Sequence, residues 1–114
     1  MTRAFRAGDP DVLPRVAQRL RALGDPMRLR IVIALQSGER CVGDLVRETG
    51  STQANVSEHL TVLRVARLVK PRRDGARVFH RIAEPTARGV YDAVCRTLEA
   101  QVEHERRLGR RHGS

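Results

Sequence analysis

Apolar residues in this chain recur mostly at intervals of three and four, which is helical spacing, until about residue 67, where that period is lost. Val16, Leu20 and Leu23 share one face of a helix predicted from about Val12 to Leu23, with Pro14 in its first turn and Gly24 ending it. Asp25 caps a second helix that starts with Pro26 and runs to about Gln36. Leu29, Ile31, Val32, Ile33 and Leu35 make that helix apolar nearly all round, so it is expected at the centre of the core. Val42, Leu45 and Val46 predict a helix over 42–49 that stops at Gly50. Ser51 or Thr52 then caps a fourth over 52–66, striped by Val56, Leu60 and Leu63. Residues 67–82 predict a hairpin with an Asp74-Gly75 turn. A last helix is expected from about Thr86 to Leu108, with Val90, Val94, Leu98 and Val102 at steps of four.

The resulting architecture is mainly α with a two-stranded β-wing, a winged helix-turn-helix. Residues 1–11, carrying Gly8, Asp9 and Pro10, are expected to form a flexible arm, and 109–114 a frayed tail. A single domain over 12–108 lies between them, with the last helix, 86–108, as its dimerisation element. The stripe on that helix exceeds what a small domain needs. It suits dimerisation through the terminal helices of two copies; the alternative is that it packs back on its own core.

Charge then narrows the partner. The chain of 114 residues has a formal net charge of +9, and 21 of its 22 basic residues are arginine, Lys70 being the exception. Arginine suits bidentate phosphate and guanine contacts, so a polyanion is favoured. With only Phe5, Phe79 and Tyr91 as aromatics, there is little to stack single-stranded bases on, and a duplex fits better. No glycine-rich phosphate loop, metal cluster or nucleophile motif is visible, so no enzyme is expected. The longest apolar run, Ile31 to Leu35, falls far short of the ~20 residues of a membrane span. Two cysteines without a secretion signal point to a reducing cytoplasm.

On a helical wheel, Gln53, Ala54, Ser57, Glu58, Thr61 and Arg64 lie opposite the stripe of the fourth helix. Gln53 suits adenine, and Ser57 a base edge or a phosphate. Arg72, Arg73 and Arg77 at the hairpin suit phosphates or the minor groove.

The strings LGDPMRLRIVIAL (23–35), CVGDL (41–45), NVSEHLTVLRVARLV (55–69) and RRDGARVFHRI (72–82) resemble the ArsR/SmtB family of bacterial repressors, over roughly residues 15–100. The resemblance implies a homodimeric winged-helix repressor that binds a double-stranded operator and leaves it when an inducer binds. Positions equivalent to Gln53, Ala54, Ser57 and Glu58 meet the operator in that family, and Ser51 and Thr52 join the DNA-facing set here. Glu58 departs from the family's usual neutral or basic residue. It either accepts from a cytosine amino group or sits at the rim and repels phosphate.

The family's metal sites are mostly missing. The zinc-type positions on the last helix hold Glu84, Thr86, Thr97 and Ala100, of which only one can ligate. The soft-metal segment reads Cys41-Val42-Gly43, a single thiol. Cys95 matches the second cysteine of a subgroup that senses reactive sulfur and oxidants, whose first cysteine is replaced by Ile33. Cys41 and Cys95 are therefore the candidate sensor thiols, either as a pair or unconnected. No cofactor is certain; a thiol-binding metal or metalloid ion, with Cys41, Cys95 and His104 as weak ligands, remains a candidate. Two further readings stand beside the repressor: a winged-helix module for protein association, and a DNA-binding regulator answering a non-thiol ligand.

Overall fold

The structure, a computed structural model, describes residues 6–112. Five helices and three strands follow one another as α1 (Leu13–Leu23), α2 (Pro26–Gln36), β1 (Arg40–Cys41), α3 (Val42–Thr49), α4 (Gln53–Val65), β2 (Val69–Asp74), β3 (Arg77–Ile82) and α5 (Thr86–His112). Helix α2 starts where Asp25 accepts from the Arg28 backbone amide at 3.0 Å, and Pro26 gives up no hydrogen bond at its first position. Its Ile31, Val32 and Leu35 are buried together with Leu23 of α1, Leu45 of α3, and Val56, Leu60 and Leu63 of α4. Leu68 of the turn after α4, Val69 of β2 and Ala87 at the start of α5 close this core. Each Val, Leu or Ile side chain so buried contributes about 1.5–3 kcal/mol.

The sheet has three strands, not the two expected, in the order β1-β3-β2, with both pairs antiparallel. Arg40 pairs with His80 and Cys41 with Phe79. A two-residue strand is too short to show alternation, and it exists because β3 offers a free row of backbone groups. The hairpin turn is also one residue later than expected. Asp74 still pairs with Arg77, leaving Gly75 and Ala76 in the loop, and Gly75 takes a φ of +62°.

The two chain ends differ from expectation in extent. Within the expected arm, Asp9 organises residues 6–12: its carbonyl accepts from Val12 and Leu13 at 3.0 and 2.9 Å, and its carboxylate from the Asp11 amide at 2.9 Å. Residues 1–5 of the arm lie outside the described residues. The expected frayed tail is helical as far as His112, because Arg106, Arg107 and Arg110 are strong helix formers that outweigh Gly109. The last two residues lie outside the described ones.

Helix α4 ends in a double-bonded cap. The Leu68 amide donates to the Leu63 carbonyl and the Arg67 amide to the Arg64 carbonyl, both at 2.9 Å, a Schellman arrangement. The position that must turn left-handed is Arg67, with a φ of +64°. Among the described residues it is the one non-glycine with a positive φ.

Candidate nucleic-acid interface

Helix α3 ends at Gly50, whose φ of +72° reverses the chain without a Cβ clash. Thr52, not Ser51, then caps α4, accepting from the Asn55 amide at 3.1 Å, and the Asn55 side chain donates to the Ser51 hydroxyl at 2.7 Å. Arg30 of α2 donates to the Thr49 carbonyl at 3.2 Å and ties the turn to the core helix. With Val56, Leu60 and Leu63 fixed inward, Gln53, Ala54, Ser57, Glu58, Thr61 and Arg64 all lie exposed. The Thr61 hydroxyl donates back to the Ser57 carbonyl at 3.0 Å, which leaves its oxygen as an acceptor.

The inner flank of α4 is held by charge. His59 lies 3.3 Å from the Arg28 guanidinium and 3.9 Å from the Asp25 carboxylate. Arg28 also donates to the carbonyls of Ala22 and Arg21 at 2.6 and 3.2 Å, so one side chain joins α1, α2 and α4. The Arg28 backbone amide holds the Asp25 carboxyl below its ordinary pKa.

On the wing the three arginines have different fates. Arg72 is bound by Glu39 at 2.7 Å and lies 5.2 Å from the centre of the Phe79 ring. Its hydrogen bond holds Glu39 below the usual carboxylate range. Arg72 therefore braces the sheet to the loop before β1. Arg73 and Arg77 are exposed, with no ion-pair partner among the described residues. Farther along β3, His80 is buried and its Nδ1 is unpartnered; burial, then the nearby Arg64 charge, lowers its pKa.

The model of the family described as bacterial regulatory protein, arsR family, matches residues 25–70, from the start of α2 to the start of β2. The chain is also 38% identical over 91 residues to the HTH-type transcriptional regulator KmtR of Mycobacterium tuberculosis, an alignment covering 75% of this chain and 70% of that protein. This chain belongs to the ArsR family. Another relative of this ArsR-family regulator is the HTH-type transcriptional repressor SmtB of Mycobacterium tuberculosis, 38% identical over 97 residues, 83% of this chain and 72% of the relative. Among solved structures, the homodimeric winged helix-turn-helix DNA-binding domain from Mycobacterium bovis superposes with a TM-score of 0.73 at 32% identity, covering 87% of this chain and 95% of that one.

The candidate sensor groups of this ArsR chain lie on different elements, Cys41 at the end of β1 and Cys95 on α5. Cys41 is half-buried where β1 meets α3, and its thiol and backbone amide both hydrogen-bond Asp44, holding that carboxyl below its ordinary pKa. Cys95 lies half-buried on α5 beside Tyr91, whose phenol it pushes upward. Both are free thiols. Of the zinc-type positions, Glu84 is already bound by Arg19 at 2.6 Å. His104 is exposed farther along α5. Among the described residues no group of three or more His, Cys, Asp or Glu side chains is placed to hold a metal ion.

The wheel had indicated the exposed half of α4, but not the contacts that set it in place. Arg28–His59, Glu39–Arg72 and Arg19–Glu84 join residues 31, 33 and 65 positions apart, and no local periodicity marks such pairs.

Proposed function

We propose that this chain is a homodimeric ArsR-type repressor that reads duplex DNA with the exposed face of α4. Gln53, Ser57, Glu58 and Thr61 face the base edges, Arg64 ends that face toward the wing, Ser51 and Thr52 approach the backbone at the start of α4, and Arg73 and Arg77 reach phosphates from the wing. The observation that carries this reading is the division of α4 itself: the core takes Val56, Leu60 and Leu63, leaving Gln53, Ser57, Glu58, Thr61 and Arg64 exposed beside two wing arginines with no ion-pair partner among the described residues.

Dimerisation is supported by what remains uncovered. Leu13, Val16 and Leu20 of α1 and Val94, Leu98 and Val102 of α5 are exposed. Beyond Asp92, every described α5 side chain is exposed except Cys95. The radius of gyration, 17.9 Å, exceeds the ~13 Å of a compact chain of this length, and the projecting α5 accounts for the excess. A second copy covers these stripes and spaces two α4 helices for a two-fold operator.

Release of the operator is triggered by an inducer acting on Cys41 or Cys95, a thiol-binding metal or metalloid ion or a reactive sulfur species or oxidant. The decisive test is duplex binding against a panel of competitor sequences. Gln53→Ala and Ser57→Ala are expected to lose sequence discrimination, each by about 1–3 kcal/mol, while retaining non-specific binding. Equal affinity of the wild type for every duplex defeats the reading. Operator release by arsenite, cadmium and polysulfide, compared in Cys41→Ser and Cys95→Ser, assigns the trigger, and unchanged release in both removes thiol chemistry from it.

A further inference from the structure

Arg67 stands in a left-handed conformation that glycine adopts freely and an L side chain adopts only under strain. Its side chain is exposed, so the two backbone bonds of the cap, and not core packing, offset that strain. What surrounds it is charge. Arg67 lines a cleft of about 470 Å³ at the carboxyl end of α4, together with Arg64, Val65, Lys70 and Glu84. Glu84 is the acidic group of this lining, and Arg19 already occupies it at 2.6 Å. Elsewhere Arg40, Arg47, Arg72, Arg88 and Arg107 each have a carboxylate within 4.0 Å. Arg64, Arg67 and Lys70 have none among the described residues.

We infer that Arg64, Arg67 and Lys70 form a phosphate-binding cleft, which takes a backbone phosphate of the duplex outside the segment read by the first turns of α4. Two guanidinium forks and one ammonium offer more donors and more charge than a carboxylate monoanion can satisfy. A phosphate oxygen cluster matches them. Arg64 belongs both to this cleft and to the exposed face of α4, so the cationic surface runs unbroken from the reading face to the base of the wing. Arg67 is the residue for which strain is retained, in the way that unfavourable backbone conformations gather at functional positions. The assignment of the phosphate to DNA rests on the operator-binding reading; the chemistry of the cleft does not.

The test uses the full chain with Arg67→Gly and Lys70→Gln. Arg67→Gly is expected to raise Tm by a few degrees by relieving the strain, which separates loss of binding from loss of folding. Both variants are expected to flatten the dependence of log affinity on log salt by about 0.9, one phosphate contact. Both should also lose the rise in Tm that inorganic pyrophosphate gives the wild type without DNA. Loss of the pyrophosphate response with an unchanged salt slope keeps the phosphate site but assigns it to a free anion. If wild-type duplex binding fails, the operator reading falls and the pyrophosphate arm alone decides the cleft. Wild-type salt slope and pyrophosphate response in both variants overturn the inference, as does a fall in Tm for Arg67→Gly that tracks with its loss of binding.

Discussion

Helices α4 and α5 carry the same kind of apolar stripe and meet opposite ends. In α4, Val56, Leu60 and Leu63 are 0, 3 and 0% exposed; in α5, Val94, Leu98 and Val102 are 53, 52 and 42% exposed. Length explains the difference. The 13 residues of α4 span about 20 Å, which the body of the domain can cover, whereas the 27 of α5 span about 40 Å and overshoot it. Periodicity therefore states that a face will be buried, without stating what buries it. In α4 the covering surface is the chain itself, and the opposite face is left for a ligand. In α5 the stripe stays uncovered by the chain, and a second copy is the cover proposed for it.

The contrast breaks most sharply under substitution. Leu63→Ala should remove about 3 kcal/mol of folding stability in denaturant titration, since it opens a cavity that its fully packed surroundings cannot close. Its mass by sedimentation should remain that of the wild type. Leu98→Glu should do the reverse: weaken dimerisation at least about a hundredfold by sedimentation equilibrium, some 2.7 kcal/mol, with helicity retained. A monomeric wild type would erase the contrast.

A smaller effect separates the body from the projecting helix by pH. Burial lowers the pKa of His80 from 6.5, so the native state holds the ring neutral while the unfolded chain protonates it. The unfolded state then binds more protons, and stability is complete above pH 6.5 and falls as pH drops through it. His80→Gln should flatten that decline in urea titrations at stepped pH; an unchanged profile assigns it to another group. The smallest effect lies at the wing. Arg73→Ala should reduce the salt slope of DNA binding by about 0.9, and Arg72→Ala by less, because Glu39 already neutralises Arg72. Equal slopes for the two would mean that Glu39 releases Arg72 to the duplex.

Local chemistry made much of the fold readable. Asp25-Pro26 and Gly50 punctuate the chain so strongly that α2 and α3 run over the expected residues, Pro26–Gln36 and Val42–Thr49. The exposed half of α4 was equally legible, because a 3.6-residue period with three buried aliphatics leaves no other arrangement. Three features were not. Strand β1 depends on a partner row contributed by β3, some forty positions away. The left-handed Arg67 hides in a sequence without glycine, since the cap is set by backbone bonds and not by the side chain. The clamp on Arg72 needed Glu39, which sits in a loop that carries no period at all.

The strand order also bears on how this protein stays apart from its neighbours. A sheet ending in unpaired backbone invites strand addition from other chains, the first step of aggregation. Here one border is β1, only two residues long, and the other is β2, which reads Val-Lys-Pro-Arg-Arg-Asp. Pro71 removes a donor from the middle of that border, and Lys70 and Arg73 make any incoming copy of the same strand electrostatically unwelcome. The residues that would bring the wing to a nucleic acid thereby also keep it from joining another wing.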